Sequence, residues 1–286
     1  MLHYDQLTAD TAEHLFVDEA AYCSLIKAGV FFSLGIPVTL LGDHMQLPPV
    51  CEMDRKLILD DAKQWECFLW DMSAIYFPDL LSSESRIENF YDCYYWNKGP
   101  IFENVKVSFL TGTYRFGEEL AKVLDGFIYH QSFTGLGENQ TTITVIDAPK
   151  KQAGLPFTVS PDEAYAIREY LEKNKLEDFA ILAPYKNQVK CLRAKLNLPA
   201  ERIMTIHASQ GREWDTVILS VTDAQKKFFM LSRNIDPPGY KLVNTAVSRA
   251  RKHLVLVMDY GAWRNRRDEL ITAIAAIKNE FISHKQ

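Results

Sequence analysis

The sequence of 286 residues has few cysteines, no long apolar run and no recognisable leader. Its five cysteines are scattered and form no C-x-x-C pair, which favours free thiols in a reducing cytosol over a disulfide framework or a zinc cluster. The apolar stretch between Val30 and Leu41 is broken by Gly35 and Pro37 and is too short to span a bilayer. The first residues, MLHYD, lack the basic start and apolar run of a signal peptide. We therefore expect a cytoplasmic protein with no membrane partner.

Positive charge is not in excess either, since the net charge is -5. Composition alone therefore argues mildly against a nucleic-acid-binding protein, although net charge says nothing about a local basic groove. A hydrophobic content of 47% with 24% charged residues is ordinary for a globular protein, and the length suits two domains.

Short apolar runs rich in β-branched residues alternate along the chain with helical patterns. This alternation predicts an α/β fold with parallel sheets covered by helices on both faces. The predicted strands are His14–Val17, Val38–Gly42, Lys106–Leu110, Thr142–Ile146, Phe179–Ala183, Ile203–Ile206, Thr216–Val221 and Leu254–Met258. The predicted helices are Ala20–Leu34, Pro161–Lys173, Asn187–Leu196, Leu242–Arg251 and Asp268–Phe281. A domain boundary is expected just after Leu110.

Two acidic residues, Asp18 and Glu19, directly follow the first predicted strand. In open α/β sheets, ligands bind at the carboxyl ends of strands. Phosphoryl transfer needs an acid that holds Mg²⁺ and a group that orients the attacking water, and adjacent carboxylates can divide these tasks. Such a pair is common by chance, but the next strand ends in the unusual string Gly42-Asp43-His44-Met45-Gln46-Leu47-Pro48-Pro49.

Three further motifs follow in a fixed order, namely Thr113-Tyr114-Arg115, Ser209-Gln210-Gly211-Arg212-Glu213 and Ser248-Arg249-Ala250-Arg251. Together with the acidic motifs, they resemble superfamily 1 helicases, closest to the branch that includes the RNA-decay helicase. The resemblance extends roughly from Glu13 to Met258. It implies two RecA-like parallel-sheet domains of a P-loop NTPase, ATP and Mg²⁺ as cofactors, and single-stranded DNA or RNA as partner.

The resemblance also implies roles for the nucleotide-binding residues. Asp18 would hold Mg²⁺ and act with Glu19 in catalysis, and Gln46 would contact the γ-phosphate. Tyr114 would stack on the adenine, while Arg115 would reach the γ-phosphate.

The second half of the resemblance adds residues from the other domain. Arg249 would be a second arginine finger, because a positioned arginine stabilises charge on a transferring phosphoryl group. Glu213 would accept a hydrogen bond from the ribose, with Gln210 and Gly211 near the nucleotide. Lone arginines are more often surface or salt-bridge residues, and Arg251 in particular is a candidate for pairing with an acid.

Candidate nucleic-acid contacts lie in two segments. Thr205, His207 and Ser209 are small donors suited to phosphate and sugar, although a histidine after a strand is more often structural. Tyr185 and Gln188 match a Pro-Tyr-x-x-Gln element that faces nucleic acid in the family. The alternative interpretation is a strand-ending Pro-Tyr turn without function.

The motif G-x-x-x-x-G-K-[ST], which cradles a triphosphate, is missing from the sequence. We therefore expect the C-terminal part of a longer helicase, inactive alone, that needs an N-terminal P-loop segment of the same protein as its partner. Residues 1-110 would form an incomplete first RecA-like domain and 111-286 a second. The competing hypothesis is a non-catalytic module that binds nucleic acid or another partner.

Residues 51-104 are expected to be an insertion in the first domain, because they exceed what compact family members place between these motifs. The segment is rich in aromatic residues, including Trp65, Trp70 and Trp96. It is interpreted either as a helical lid with its own small core or as a base-stacking platform.

Overall fold

The computed structural model describes residues 12–23, 30–31, 33–43, 45–47, 108–137, 140–149, 154–222, 230 and 239–283. Contacts divide the chain into two units, Met1–Phe109 and Leu110–Gln286. The predicted insertion, 51-104, lies outside the described residues. Among the helices that the structure describes, none has the length and apolar character needed to cross a membrane.

The described part of the first unit is built on two parallel strands. Strand β1 (Leu15–Val17) pairs with β2 (Val38–Leu40), with Leu15 opposite Val38. A 3-10 turn, Ala20–Tyr22, follows β1 and buries Ala20 against apolar side chains that include Val17 and Leu40. The backbone is extended at Cys23, so the helix predicted from Ala20 to Leu34 does not begin as one continuous α-helix.

The second unit contains the larger sheet, whose six strands are all parallel in the order β10-β5-β9-β8-β6-β7. These strands are β5 (Thr142–Asp147), β6 (Phe179–Ala183), β7 (Ile203–Thr205), β8 (Trp214–Ser220), β9 (Ala250–Met258) and β10 (Glu280–Ser283). A separate two-stranded parallel ladder joins β3 (Gly112–Thr113) to β4 (Thr134–Gly135). The predicted α/β class with parallel sheets is confirmed.

Six α-helices lie in the described part of the second unit. They are α1 (Glu118–Leu124), which continues into a π-helical turn at Asp125–Tyr129, then α2 (Pro161–Lys173), α3 (Lys186–Leu196), α4 (Gly239–Val247), α5 (Tyr260–Trp263) and α6 (Leu270–Ala276). Short 3-10 turns precede and follow β7, at Ala200–Arg202 and His207–Ser209.

The core lies along β6, β8 and β9, which are buried on both faces. All five residues of β6 are buried, as expected for a parallel strand covered by helices on each side. Ile167 and Leu192, from α2 and α3, pack with Ile181, Ile218 and Val255 of the sheet. Helices α4 and α6 contact the same sheet through β5, β8 and β9.

The start of α2 shows why its bounds agree with the sequence. Ser160 is the N-cap, and its hydroxyl accepts a hydrogen bond from the Glu163 amide at 3.3 Å. Pro161 occupies the first turn, where its missing N–H costs nothing, and two acids follow near the positive end of the helix.

Two predicted helices are wrong at their C-terminal ends, because the residues there belong to strands. The helix predicted over Leu242–Arg251 ends at Val247, since the chain from Ala250 pairs with β8. The helix predicted over Asp268–Phe281 ends at Ala276, and Phe281 instead lies in β10, opposite Val145 of β5.

The strand predicted over Lys106–Leu110 is also corrected in its described part. Residues 108–110 belong to no strand, and the first strand of the second unit is β3, at Gly112–Thr113. The other five strands predicted for this unit are present, with β9 beginning four residues before the predicted Leu254, at Ala250.

Candidate functional site

The two candidate catalytic acids lie in an exposed turn directly after β1. Glu19 adopts the left-handed conformation, with φ of 51°, and occupies the N-cap position of the following 3-10 turn. The Glu19 amide donates to the Asp18 carboxylate at 2.8 Å, which fixes one carboxylate oxygen over the turn. The backbone thus turns sharply at the carboxyl end of a strand and leaves both acids accessible.

The end of β2 lies against the same turn. The Ala20 amide donates to the Leu41 carbonyl at 2.8 Å, and Leu41 donates in turn to Val17. A Cβ atom at Gly42 would lie 3.0 Å from the Ala20 amide nitrogen, so the absence of a side chain there permits the close approach. The structure therefore brings the Gly42 motif next to the acidic turn.

Gln46 is oriented by the acid that precedes it in this motif. The Gln46 side-chain amide donates to Asp43 Oδ2 at 3.0 Å, and its backbone amide donates to the Asp43 carbonyl. The other Asp43 oxygen accepts from the Met45 amide at 2.9 Å. Asp43, which was not predicted as a site residue, thus closes the turn and positions the Gln46 side chain.

In the second unit the candidate residues Arg115 and Glu213 form an ion pair. The Arg115 guanidinium also donates to the Ser248 carbonyl at 3.3 Å, and its backbone amide donates to the Thr113 hydroxyl. Both members of the pair keep about a third of their side-chain surface exposed. Tyr114, beside them in sequence, is 80% exposed and presents an aromatic ring to solvent.

Arg249 has very different surroundings, since it is only 1% exposed. Its guanidinium donates to the Thr245 carbonyl at 3.0 Å and to the Arg212 carbonyl at 3.3 Å. A buried charge needs such partners, because desolvation without them is costly. Arg249 is thus fixed at the junction between α4 and β9 by carbonyls of its own unit.

These contacts connect three candidate residues into one cluster. Arg115 contacts Glu213 and Ser248, while Arg249 contacts the carbonyl of Arg212, the residue before Glu213. The Trp214 amide closes the arrangement by donating to the Arg249 carbonyl at 3.0 Å. The cluster of Arg115, Glu213 and Arg249 lies at the amino ends of β8 and β9.

Gln210 and Gly211 lie in the turn that leads to this cluster. Gly211 has φ of +73°, a conformation that residues with a Cβ rarely adopt, so glycine is favoured there. The Gln210 amide donates to the His207 carbonyl at 3.4 Å. The turn thus leads directly into Arg212 and Glu213.

The candidate nucleic-acid residues after β7 differ in accessibility. The Thr205 hydroxyl accepts from the Ala208 amide at 3.3 Å and is half-buried. Burial and, to a lesser extent, the charge of Lys186 lower the pKa of His207, which favours the neutral imidazole. Ser209 is fully buried and donates to the Ile206 carbonyl at 2.7 Å, so its hydroxyl is directed inward in this conformation.

Tyr185 and Gln188 belong to the start of α3 but face different surroundings. Tyr185 is half-buried and makes an edge contact with Phe157, with ring centroids 5.8 Å apart. Gln188 is fully buried, and its amide oxygen accepts from the Ser160 amide at 2.8 Å. Its amide nitrogen donates to the Ser160 carbonyl and the Ser220 hydroxyl. The structure therefore gives Gln188 an internal role, unlike the predicted contact with nucleic acid.

Sequence reasoning did not identify the buried acid that completes this polar network. The Ser220 hydroxyl donates to Glu163 at 2.5 Å, and the Thr222 amide donates to the other Glu163 oxygen at 2.8 Å. Acids in the first turn of a helix such as α2 are a common start signal, and no local signal indicates that Glu163 reaches the end of β8.

The candidate residues of the second unit thus lie at opposite ends of the sheet. Tyr185 follows the carboxyl end of β6, and Thr205 is the last residue of β7. Glu213 and Arg249 instead precede the amino ends of β8 and β9. Strand β8 has seven residues, so the two ends are separated by roughly 20 Å at about 3.3 Å per residue. The segment from 205 to 213 connects them.

Across the described ranges, no group of three or more His, Cys, Asp or Glu side chains could hold a metal ion. Mg²⁺ is usually held by one or two carboxylates together with substrate phosphates and water. The exposed Asp18 and Glu19 fit that limited role, and they do not form a complete protein cage.

Comparison with known proteins gives a family match within the second unit and relatives that cover different shares of the chain. Residues 162–260 match the AAA domain family model. The DNA-binding protein SMUBP-2 of Rattus norvegicus is 35% identical over 88 residues, which cover 29% of this chain and 8% of that protein. The putative helicase mov-10-B.1 of Danio rerio is 22% identical over 305 residues, covering 86% of this chain and 30% of that protein.

A solved structure of the PRRSV helicase is 18% identical with a TM-score of 0.45, and the match covers 86% of this chain and 34% of that one. The chain spans less than a third of the length of the two curated relatives named above. The predicted relationship is confirmed by the AAA domain match and the curated relatives: this chain is related to the C-terminal part of superfamily 1 helicases.

Proposed function

We propose that this chain is the C-terminal portion of an ATP-dependent superfamily 1 DNA or RNA helicase. The observation that carries the proposal is the cluster of Arg115, Glu213 and Arg249, joined through contacts of the 212–214 and 245–248 segments. Guanidinium groups are suited to polyphosphate, and a carboxylate is suited to ribose hydroxyls. The cluster therefore contains groups that would bind the phosphates and the ribose of ATP.

In this proposal the first unit supplies the acids. Asp18 would bind Mg²⁺ together with phosphate oxygens, and Glu19 would orient the attacking water. Gln46, positioned by Asp43, would contact the γ-phosphate. Bound Mg²⁺ would neutralise charge on the phosphates, and Tyr114 would provide an exposed ring for the adenine.

Single-stranded nucleic acid would bind at the opposite end of the sheet, near Tyr185, Lys186 and the residues after β7. Aromatic rings and a positive charge are the groups by which proteins bind single strands without reading sequence. The 205–213 segment, continuous from Thr205 to Glu213, would couple the nucleotide and the nucleic acid. A change between two conformations as nucleotide binds and is hydrolysed would then move the chain along a strand.

A non-catalytic module derived from a helicase is the second candidate, favoured by the absence of a G-x-x-x-x-G-K-[ST] motif from the sequence. The two candidates differ in what happens to nucleotide. A helicase hydrolyses ATP faster when single-stranded nucleic acid is present, at least once a P-loop segment is supplied, whereas the module does not.

The test measures ATP hydrolysis and binding of labelled single-stranded DNA and RNA by this chain, alone and extended by its upstream segment. Because coupling is reciprocal, Mg²⁺-ATP should also change the affinity for the single strand. Lys186→Ala should weaken nucleic-acid binding, while Lys173→Ala, at the exposed end of α2, serves as the matched control. Nucleic-acid binding without any nucleotide dependence or stimulated hydrolysis in the extended chain would support the module and refute the helicase.

A further inference from the structure

The ion pair between Arg115 and Glu213 joins two residues for which the family resemblance implies separate ligands. Arg115 is expected to meet the γ-phosphate and Glu213 the ribose, yet their side chains contact each other. The second partner of Arg115 is the neutral Ser248 carbonyl at 3.3 Å. Glu213 is therefore the charged group that neutralises this guanidinium in the present conformation.

We infer that Glu213 pairs with Arg115 while no polyphosphate is bound, and that a polyphosphate displaces this carboxylate from the guanidinium. The inference rests on the proposed function and adds that Glu213 regulates the access of phosphate to Arg115. Carboxylate and phosphate both bind the planar set of guanidinium donors, preferably in a bidentate manner, so a polyphosphate competes with Glu213 for Arg115.

The exposure of the pair makes this exchange feasible. The side chains of Arg115 and Glu213 are 32% and 35% exposed, so solvent screens their attraction and an incoming anion can reach the guanidinium. Arg249 is only 1% exposed and donates to backbone carbonyls, so a similar displacement would require local opening. Arg115 is thus the arginine of this cluster that is ready to exchange partners.

The exchange also makes the Glu213 carboxylate available to bind ribose. Once phosphate neutralises Arg115, the Glu213 carboxylate is released and can accept hydrogen bonds from ribose hydroxyls. Arg212, the preceding residue, stays anchored because its carbonyl accepts from Arg249 at 3.3 Å. The backbone of this turn would therefore stay in place while the Glu213 side chain changes partner.

The direction in which Glu213→Gln changes the affinity for an anion tests the inference. Inorganic tripolyphosphate has no ribose, so its affinity for the 286-residue chain reports on the phosphate contact alone. Glu213→Gln removes the competing charge, and we expect tripolyphosphate to bind about two- to fivefold more tightly, which corresponds to the strength of an exposed ion pair. If Glu213 served only the ribose, this affinity would not change.

Two matched variants complete the experiment. Glu172→Gln removes one exposed charge from α2 and should leave the affinity nearly unchanged, which separates local competition from net charge. Arg115→Gln combined with Glu213→Gln should abolish the gain, as a double-mutant cycle requires. Unchanged or weaker binding by Glu213→Gln, a gain that survives loss of Arg115, or no binding by any variant would each overturn the exchange.

These outcomes remain separate from the test of the proposed function. If nucleotide-dependent nucleic-acid binding or stimulated hydrolysis is observed while Glu213→Gln gives no gain with tripolyphosphate, the helicase proposal stands and the exchange fails. If the gain is observed without either activity in the extended chain, the exchange stands as an anion response and the helicase proposal fails.

Discussion

Arg115 and Arg249 are two arginines of one cluster with opposite environments. Arg115 is about one-third exposed and paired with a carboxylate, whereas Arg249 is buried and bonded to carbonyls of Thr245 and Arg212. The first is suited to changing partners, and the second holds the end of α4 next to the start of β9. Any role of Arg249 toward phosphate is therefore combined with a structural one.

Replacing Arg249 should reveal that structural role. Arg249→Ala would leave the carbonyls of Thr245 and Arg212 without their buried donor, and we expect a loss of about 2–4 kcal/mol in the free energy of unfolding. Urea denaturation followed by circular dichroism measures this change. Arg267→Ala removes an exposed arginine and should cost less than about 0.5 kcal/mol. Equal losses in the two variants would show that Arg249 does not stabilise the fold.

At the scale of elements, a buried polar network joins the starts of two helices to the end of a strand. Gln188 of α3 bonds the backbone of Ser160, the N-cap of α2, and also the Ser220 hydroxyl at the end of β8. Glu163 of α2 accepts from Ser220 and from the Thr222 amide. In this way the network fixes the edge of the sheet from which Tyr185 extends.

The network predicts a large effect from a change that conserves volume. Gln188→Met should fill the same space and leave the Ser160 and Ser220 groups unsatisfied, lowering the free energy of unfolding by about 2–3 kcal/mol. Amide hydrogen exchange should also accelerate at the starts of α2 and α3. Asn187→Ala, at the exposed neighbouring position, is the control. Similar exchange rates in both variants would contradict the role assigned to Gln188.

For the molecule as a whole, the sequence predicted the parts of the fold that local signals determine. The cap at Ser160 and the apolar run Phe179–Ala183 are local, and both α2 and β6 have the predicted bounds. Strand β10 was missed because it forms by pairing with β5, about 136 residues away, and Phe281 in it is 44% exposed. Short edge strands carry little apolar pattern of their own.

The candidate site likewise has features that the motifs predicted and others that they did not. The motifs identified Arg115, Glu213 and Arg249 as belonging together, although Arg115 and Glu213 are 98 residues apart. Their mutual pairing and the burial of Arg249 depend on tertiary contacts that no spacing encodes. Gln188 shows the same limit, since its partners lie 28 and 32 residues away and direct it into the interior.

The pH dependence of stability should reflect two half-buried histidines of the second unit. Burial is the main cause that lowers the pKa of His253, partly opposed by the charge of Glu280, and burial followed by Lys186 lowers the pKa of His207. A histidine with a depressed pKa in the folded state binds protons more readily when unfolded. Its stabilising contribution is therefore complete above the unfolded value of about 6.5 and is lost as the pH falls toward the folded pKa.

We accordingly expect the free energy of unfolding to decrease between pH 7 and pH 5.5, measured by urea denaturation at constant ionic strength. Replacing both His207 and His253 by Gln should flatten this part of the curve, because the unfolded state then gains fewer protons. His130→Asn, at an exposed position with φ of 51°, should leave the slope unchanged. If stability stays constant or rises over this interval, or if the double variant keeps the full slope, the two half-buried imidazoles do not control the response to acid.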